Sequence, residues 1–227
     1  MVAAGGRGRP AGLAGLARTR RRIRHPWGMP DHVAVPGVPP QPRNPAGNYR
    51  ILAVCLGNIC RSPTAEVVLR AELTVAGLTS AVEVESAGTG DWHLGMAMDQ
   101  GARAELAERG YDGSRHRARQ LNGSWLGRFD LILAMDRYNL ADLRAMATDE
   151  ETAGYRIRLL RTFDPDTPAD GAADGSGADP YEGEVPDPYH GTGEDYALSF
   201  DLIKAACIGL AAQLTRLLGE RPRSPMG

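Results

Sequence analysis

Short apolar segments alternate with helical patterns from residue 49 onward, and this alternation constrains the fold more than any other feature. The candidate strands cover residues 49–54, 82–85, 131–135 and 157–160. Strands that are apolar along most of their length are typical of a parallel sheet covered on both faces. Parallel strands also need a crossover between them, usually a helix. We therefore predict an α/β fold, a doubly wound parallel sheet of about four strands with helices on both faces.

The segments between these strands have the apolar spacing of helices. Helices are expected over residues 63–76, 98–108 and 137–146, and the last helix begins near Tyr196. Its apolar side chains recur every three or four residues, as they do on one face of a helix. Ser62 before Pro63 resembles a helix N-cap followed by proline at the first helical position.

Composition divides the chain into a folded region and flanking segments. Residues 1–48 are rich in Gly, Pro and Arg, so we expect a disordered basic extension, or a true start at Met29. The domain is predicted over 49–220, followed by a tail of 221–227. Residues 164–186 are rich in Asp, Gly and Pro, which predicts a mobile insertion because a plain connection is usually shorter.

Several classes of function are disfavoured by composition. A net charge of −2 gives no reason to expect nucleic acid, and no apolar run approaches the roughly 18 residues of a membrane span. Three cysteines favour a reducing compartment over a disulfide scaffold, so we expect a cytoplasmic protein, with export as an open alternative. We also expect a monomer. No His/Cys cluster has zinc spacing, and we expect neither metal nor cofactor.

The chemistry is expected in the loop of residues 55–63, between the first strand and the first helix. Gly57 and Asn58 tolerate positive φ, so the loop can curl with its backbone N–H groups pointing inward as an anion site. The helix N-terminus adds positive potential, and Arg61 adds a bidentate fork for phosphate oxygens. A thiol at this place, Cys55, should be ionised and nucleophilic. Ser62 can donate a hydrogen bond to its sulfur.

A thiolate nucleophile also needs an acid that protonates the leaving oxygen. Asp187, followed by Pro188 and Tyr189, is one candidate. Asp179, followed by Pro180 and Tyr181, is another, and the residues alone leave both open.

These motifs resemble the low-molecular-weight protein tyrosine phosphatases from about residue 50 to the last helix. The resemblance implies an enzyme that acts on phosphotyrosine proteins through a phosphocysteine and is inhibited by phosphate-like oxyanions. It makes Cys55 the nucleophile, Arg61 the phosphate clamp, Ser62 the donor to the thiolate and Asp187 the acid, since Asp187 fits the family's position and trailing glycine. The other residues that it implies at the site are Leu56, Gly57, Asn58, Ile59 and Cys60 of the phosphate loop, Trp92 and Tyr189 at the cleft, and His116 as a support for Asn58.

Three alternatives remain in view. An arsenate reductase of the same fold would need relay cysteines, and Cys207 on the apolar face of the last helix is a poor relay. A protein-arginine phosphatase favours threonine where Ile59 stands, and a binding module without catalysis would not need Cys55, Arg61 and Asp187 together. We further hypothesise a reversible Cys55–Cys60 disulfide that protects the nucleophile from oxidation.

Overall fold

The predicted strands form one parallel sheet in a computed structural model, which describes residues 37–167, 181 and 183–219. The strands are β1 (Tyr49–Cys55), β2 (Val82–Gly88), β3 (Leu131–Ala134) and β4 (Ile157–Leu159). Their order in the sheet is β2-β1-β3-β4, and every neighbouring pair is parallel. Because β1 connects to β2 on one side of it and β3 connects to β4 on the other, the loops that follow the two central strands lead away from each other at the carboxyl ends of these strands. A crevice at that position is where open α/β sheets bind ligands.

Within the described residues, four α-helices lie where the spacing predicted them. They are α1 (Arg61–Val75), α2 (Gln100–Glu108), α3 (Arg137–Met146) and α4 (Gly193–Gly219). Short 3₁₀ helices, Gly123–Arg128 and Leu160–Phe163, and a π-helical turn, Thr152–Arg156, lie in the connections and had no clear signal in the sequence.

Alternate residues of β1 face two separate parts of the core. Ile51 and Ala53 pack in one cluster with the buried faces of α1, α2 and α4. Leu52 and Val54 pack in a second cluster with residues of α3 and of the 3₁₀ helix Gly123–Arg128. Since both faces of the strand are covered, all of its residues from Ile51 to Cys55 are buried, which explains the continuous apolar run. The predicted doubly wound α/β fold is confirmed.

The last helix, α4, supplies a large part of the first cluster. In the described part of the chain, it is the one helix that is long and apolar enough to cross a membrane. Its apolar residues Phe200, Ile203, Leu210 and Leu214 are, however, almost completely buried inside the fold. Gly209 allows the close approach of this helix to the 3₁₀ helix Leu160–Phe163, since a Cβ there would collide with the Phe163 carbonyl oxygen at 1.9 Å. The apolar pattern of α4 is therefore that of a core helix.

The start of α1 differs from the prediction. The helix begins at Arg61, its N-cap position is Cys60, and no side chain caps it. The prediction that Ser62 is the N-cap was wrong because the Ser62 hydroxyl contacts Cys55 and Asn58 instead. Pro63 lies in the first turn, where the helix leaves N–H groups without partners, and so it removes no helical hydrogen bond.

The end of the predicted basic extension lies against the domain. Residues 1–36 lie outside the described residues, but residues 37–48 are described. In this segment, the Arg43 backbone N–H donates to Asp130 Oδ1 (2.5 Å), and its guanidinium donates to the Phe129 carbonyl (2.9 Å) and Thr152 Oγ1 (2.7 Å). The Tyr49 hydroxyl donates to the Pro40 carbonyl (3.0 Å). Residues before 49 therefore pack on the domain, because partners far along the sequence hold this segment at the amino ends of the strands.

Candidate active site

The loop after β1 lies at the carboxyl end of the sheet, in the crevice between β1 and β3. Cys55 is the last residue of β1 and stands opposite Gly88 of β2. A Cβ on Gly88 would lie 2.6 Å from the Leu56 carbonyl oxygen and 3.0 Å from the Asn58 nitrogen. Only glycine therefore allows β2 to approach the loop this closely. The Thr89 N–H donates to the Cys55 carbonyl at 3.0 Å, which fixes the start of the loop.

The sulfur of Cys55 has two polar neighbours. The Asn58 backbone N–H donates to Sγ at 3.3 Å, and Ser62 Oγ lies 3.0 Å from it. Asn58 Nδ2 donates to Ser62 Oγ at 2.9 Å, so the hydroxyl is an acceptor on that side. Its own hydrogen is left for Cys55 Sγ or, at 3.3 Å, the Ala87 carbonyl. The shorter contact directs a donor at the sulfur and would stabilise negative charge on it.

Asn58 holds the curled loop from inside. It is completely buried and has a φ of 55°, a left-handed conformation that asparagine accepts more readily than most residues. Its Nδ2 also donates to Ser86 Oγ (3.0 Å), and its Oδ1 accepts from the Arg119 N–H (2.9 Å). His116 Nε2 lies 2.7 Å from the Asn58 carbonyl oxygen. Because each polar atom of the Asn58 side chain is used, the loop has one well-defined shape.

His116 is placed as the expected support of Asn58. Burial lowers the pKa of its imidazole below the ordinary value, against the opposing effects of the Asn58 carbonyl and Glu66. A neutral ring can donate one hydrogen from Nε2 to the Asn58 carbonyl.

Arg61 extends from the first turn of α1 between two carboxylates. Its guanidinium donates through Nη1 to Asp136 Oδ2 (2.6 Å) and to the Val185 carbonyl (3.2 Å), and through Nη2 to Asp187 Oδ2 (2.7 Å). Burial alone would lower the pKa of Arg61, but the negative charges of Cys55, Asp187 and Asp136 raise it. A buried, permanently charged fork thus lies beside the sulfur and faces the crevice.

Asp187 reaches the site from the segment before α4. Its Oδ2 is bound by Arg61, and its Oδ1 accepts from the Tyr189 N–H at 3.2 Å. The carboxylate side chain is 45% exposed, so it borders the open part of the cleft. The competing candidate, Asp179, lies with Pro180 outside the described residues.

The predicted residues fall into a lining group and a supporting group. One cleft is lined by the following residues of the prediction: Cys55, Leu56, Gly57, Ile59, Cys60, Arg61, Trp92, Asp187 and Tyr189. Asn58, Ser62 and His116 instead contact the loop or the sulfur from behind. Trp92 folds over Gly90, where a Cβ would collide with its ring, and Trp92 remains 69% exposed. The cleft therefore has an anion-binding floor and aromatic walls.

Three further residues belong to the site. His93, for which the sequence leaves a place in the cleft and a surface role equally open, lines the cleft, and its ring packs edge-on against Tyr189 with centroids 5.8 Å apart. Asp136 binds Arg61 and also caps α3 by accepting from the Asn139 N–H at 2.7 Å. The signal for Asp136 was its position directly after β3, next to β1 in the sheet, since carboxyl ends of neighbouring parallel strands meet. Ser86 lies in a glycine-rich segment that gave no hint of its contact with Asn58.

The described residues do not provide the ligand set of a metal site. In the part of the chain that the structure describes, no group of three or more His, Cys, Asp or Glu side chains is placed to hold a metal ion. The positive charge at the cleft comes instead from Arg61 and from the N-terminus of α1.

Comparison with known proteins agrees with this geometry. Residues 50–219 match the model of the family described as low molecular weight phosphotyrosine protein phosphatase. The chain belongs to that family. A low molecular weight protein-tyrosine-phosphatase of Streptomyces coelicolor is 44% identical over 164 residues, which cover 72% of this chain and 92% of the relative. The resemblance inferred from the phosphate loop is thereby confirmed.

Solved structures of the family have the same fold. A protein tyrosine phosphatase from Entamoeba histolytica superposes with a TM-score of 0.65 at 30% identity, covering 74% of this chain and 98% of that one. YfkJ from Bacillus subtilis superposes with a TM-score of 0.63 at 34% identity, covering 75% and 97%. The family match begins at residue 50, so the Arg43 contacts lie in a segment that precedes it.

Proposed function

We propose that this protein is a protein tyrosine phosphatase that hydrolyses phosphotyrosine in proteins through a phosphocysteine intermediate. The observation that carries the proposal is the position of Cys55 Sγ, which lies 3.0 Å from Ser62 Oγ and 3.3 Å from the Asn58 backbone nitrogen. Arg61 lines the same cleft as Cys55. A nucleophile, an anion site and a carboxylate converge at the mouth of one cleft.

Phosphate binding uses the loop and Arg61. The loop amides and the N-terminus of α1 are suited to receive the phosphoryl oxygens, as helix N-termini do for anions. Arg61 Nη2, which is bound to Asp187, turns to a phosphoryl oxygen when the dianion enters, while Nη1 stays on Asp136. Asp136 thereby fixes the direction of the guanidinium, and this positive charge beside the phosphoryl oxygens is the main source of transition-state stabilisation.

In the first chemical step, Cys55 Sγ attacks phosphorus in line with the departing phenolic oxygen. The P–S bond forms as the P–O bond breaks, and Asp187 gives its proton to the tyrosine oxygen. In the second step, the Asp187 carboxylate takes a proton from water, which attacks phosphorus. The P–S bond breaks as the P–O bond to water forms, so inorganic phosphate leaves, and the released Cys55 thiolate is stabilised by the hydrogen bond from Ser62.

The aromatic walls favour an aryl phosphate. Trp92 and Tyr189 line the same cleft as Cys55, and the His93 ring packs against Tyr189. A flat phenyl ring fits between such walls with its phosphate at the loop. Ile59, which also lines this cleft, adds an apolar contact where a protein-arginine phosphatase favours threonine.

An arsenate reductase is less well supported. Relay of a disulfide needs an accessible second cysteine, but Cys207 is completely buried in α4, and burial raises the pKa of its thiol. Cys60 is also buried, and it lies in the phosphate loop itself. A phosphatase uses Asp187 as the acid that protonates the leaving oxygen, whereas the relay of a disulfide between cysteines does not need this carboxylate.

The decisive experiment is hydrolysis of p-nitrophenyl phosphate in the presence of EDTA. Wild type should turn over, Cys55→Ser should be inactive, and Asp187→Ala should lose about 100-fold or more in kcat, the usual effect of a missing general acid. Asp179→Ala is the matched control and should retain full activity. Turnover by Cys55→Ser would refute the mechanism, and a loss confined to Asp179→Ala would reverse the acid assignment. A phosphoarginine peptide and arsenate plus thioredoxin test the alternatives in the same samples.

The proposal includes the cellular location and the oligomeric state of the enzyme. We place it in the cytoplasm as a monomer that acts on phosphotyrosine proteins without a cofactor. The support is that all three cysteines are free and buried, as expected in a reducing compartment. Phosphate-like oxyanions should inhibit competitively, because they fit the same loop.

A further inference from the structure

Arg161 lies at the base of the segment that carries Asp187. It belongs to the 3₁₀ helix Leu160–Phe163 after β4 and is only 5% exposed. Its Nη1 donates to the Glu184 carbonyl at 3.2 Å, three residues before Asp187. A buried arginine that is hydrogen-bonded to the backbone of a distant segment fixes the position of that segment.

The guanidinium of Arg161 is itself held firmly. Its Nη2 donates to Thr167 Oγ1 at 3.0 Å and lies 3.4 Å from Asp164 Oδ2. Asp164 is as buried as Arg161, and its side chain also accepts from the Asp166 N–H and the Thr167 hydroxyl. The carboxylate of Asp164 therefore neutralises the buried charge of Arg161. The turn of residues 164–167 holds the guanidinium so that it points toward Glu184.

Several hydrogen bonds hold residues 184–187, and in the proposed reaction substrate binding removes the one between Arg61 Nη2 and Asp187. The Val185 N–H donates to the Met135 carbonyl at 2.8 Å, and Arg161 holds the Glu184 carbonyl. The Glu184 N–H donates to the Tyr181 carbonyl at 2.8 Å, and Arg61 binds the Val185 carbonyl through Nη1 and Asp187 Oδ2 through Nη2. In the proposed reaction, Nη2 turns to the phosphoryl group while Nη1 keeps its contacts. Asp187 then loses its ion pair with Arg61, and its position depends on the backbone contacts of Glu184 and Val185, to which Arg161 contributes from outside the phosphate site.

We propose that Arg161 is a positioning residue for the general acid: through the Glu184 carbonyl, it keeps Asp187 within reach of the leaving oxygen after Arg61 has engaged the phosphate. This inference rests on the proposed function. Arg161 touches neither substrate nor Cys55, so its effect passes entirely through Asp187. The surface pair Arg137–Glu184 (3.4 Å) cannot replace it, since exposed ion pairs of this kind contribute little.

The effect is specific to leaving groups that need a proton. Misplacing a catalytic group by about 1 Å costs up to about 100-fold in rate. Arg161→Met should therefore lower kcat/KM about 10-fold to 100-fold for phenyl phosphate, whose phenol is as basic as that of tyrosine. For 2,4-dinitrophenyl phosphate, whose acidic phenol departs without a proton, kcat/KM should change less than about threefold.

Arg158→Met is the matched control. Arg158 is a second buried arginine on the adjacent strand, 8% exposed, and its Nε donates to the Tyr155 carbonyl at 2.8 Å. Among the described residues, its guanidinium makes no hydrogen bond to residues 184–189. Both substitutions remove a buried charge beside β4, so a merely structural effect appears in both. Melting temperatures of all variants report the folded fraction.

The assay compares kcat/KM for the two phenyl esters in wild type, Arg161→Met, Arg161→Lys, Arg158→Met, Asp187→Asn and the Asp187→Asn/Arg161→Met double variant. A loss for phenyl phosphate alone in Arg161→Met, a smaller one in Arg161→Lys, and none further in the double variant support the proposal. Should Arg161→Met not fold, the selective loss must appear in Arg161→Lys.

Equal losses for both esters, or the same profile in Arg158→Met, would overturn it. The proposal also fails alone if Asp187→Asn shows the selective loss and neither Arg161 variant does. If Asp187→Asn itself shows none, the acid assignment fails, and this inference falls with it.

Discussion

Replacement of Asn58 by alanine tests how the phosphate loop is held open. Asn58 is completely buried, and its side chain makes three hydrogen bonds: to Ser62 Oγ (2.9 Å), to Ser86 Oγ (3.0 Å) and from the Arg119 N–H (2.9 Å). At about 1 kcal/mol each, these bonds contribute about 3 kcal/mol. Alanine at a φ of 55° adds a backbone cost of about 1 kcal/mol. We expect Asn58→Ala to lower the free energy of unfolding by about 4 kcal/mol.

The same change should lower catalysis, because Ser62 loses the donor that orients its hydroxyl toward Cys55. A loss of about 100-fold in kcat/KM for p-nitrophenyl phosphate is expected from a loop displaced by about 1 Å. Urea unfolding gives the stability, and steady-state kinetics below the transition gives the rate.

Two further variants separate the causes of the loss. Asn58→Gly removes the same hydrogen bonds but accepts positive φ, so it should be about 1 kcal/mol more stable than Asn58→Ala. Asn44→Ala is the control, because Asn44 is exposed and, among the described residues, its side chain accepts only from the nearby Ala46 N–H. It should change stability by less than about 0.5 kcal/mol. The reasoning is refuted if Asn58→Ala loses less than about 1 kcal/mol and keeps kcat/KM within about threefold of wild type.

Other parts of the account predict separate measurements. Because burial lowers the pKa of His116, the unfolded state binds more protons below about pH 6.5, so stability should fall more between pH 7 and pH 5.5 in wild type than in His116→Gln; equal urea profiles would contradict this. If a Cys55–Cys60 disulfide protects the nucleophile, wild type should recover from peroxide with dithiothreitol and Cys60→Ala should not, whereas equal recovery would exclude that role. Arg43→Ala loses two hydrogen bonds to Phe129 and Thr152 and should destabilise by about 2 kcal/mol without changing kcat/KM; unchanged urea unfolding would show that residues 37–48 are not part of the stable fold.

The sheet and the phosphate loop could be predicted because each depends on residues that are close in sequence. The strands are buried on both faces, so their apolar runs are continuous and easy to recognise. The loop is one contiguous segment between a strand and a helix, and its residue types specify an anion site without knowledge of distant partners. The position of Asp187 followed from the family resemblance rather than from local pattern.

The residues that were missed act through contacts that only the folded chain creates. Asp136 meets Arg61 because β3 lies beside β1, and Ser86 meets Asn58 because β2 pairs with β1 on the other side. The contact of Arg161 with Glu184 joins segments on either side of residues 168–180. The composition of these two segments does not predict that contact. The packing of Arg43 likewise depends on Asp130, which is distant in sequence.

The N-cap of α1 illustrates a different limit. Ser62 before Pro63 is a typical helix start, but a serine hydroxyl can accept from a helix N–H or make other hydrogen bonds instead. Here Asn58 donates to the hydroxyl, and the nearby sulfur of Cys55 competes for its hydrogen. The tendency of serine to cap a helix is therefore overridden by its hydrogen bonds at the active site. Conflicts between local propensity and the fold are expected at functional sites.

The claim that Cys55 forms the covalent intermediate is tested most directly by trapping it. Asp187→Asn, mixed with 2,4-dinitrophenyl phosphate and quenched in acid within milliseconds to seconds, should accumulate a phosphoenzyme, because the first step then needs no acid while water attack lacks its base. Peptide mass spectrometry should find the phosphoryl group on Cys55, and Cys55→Ser should give no phosphocysteine. A phosphoryl group on any other residue, or release of dinitrophenol by Cys55→Ser at the wild-type rate, would contradict the account.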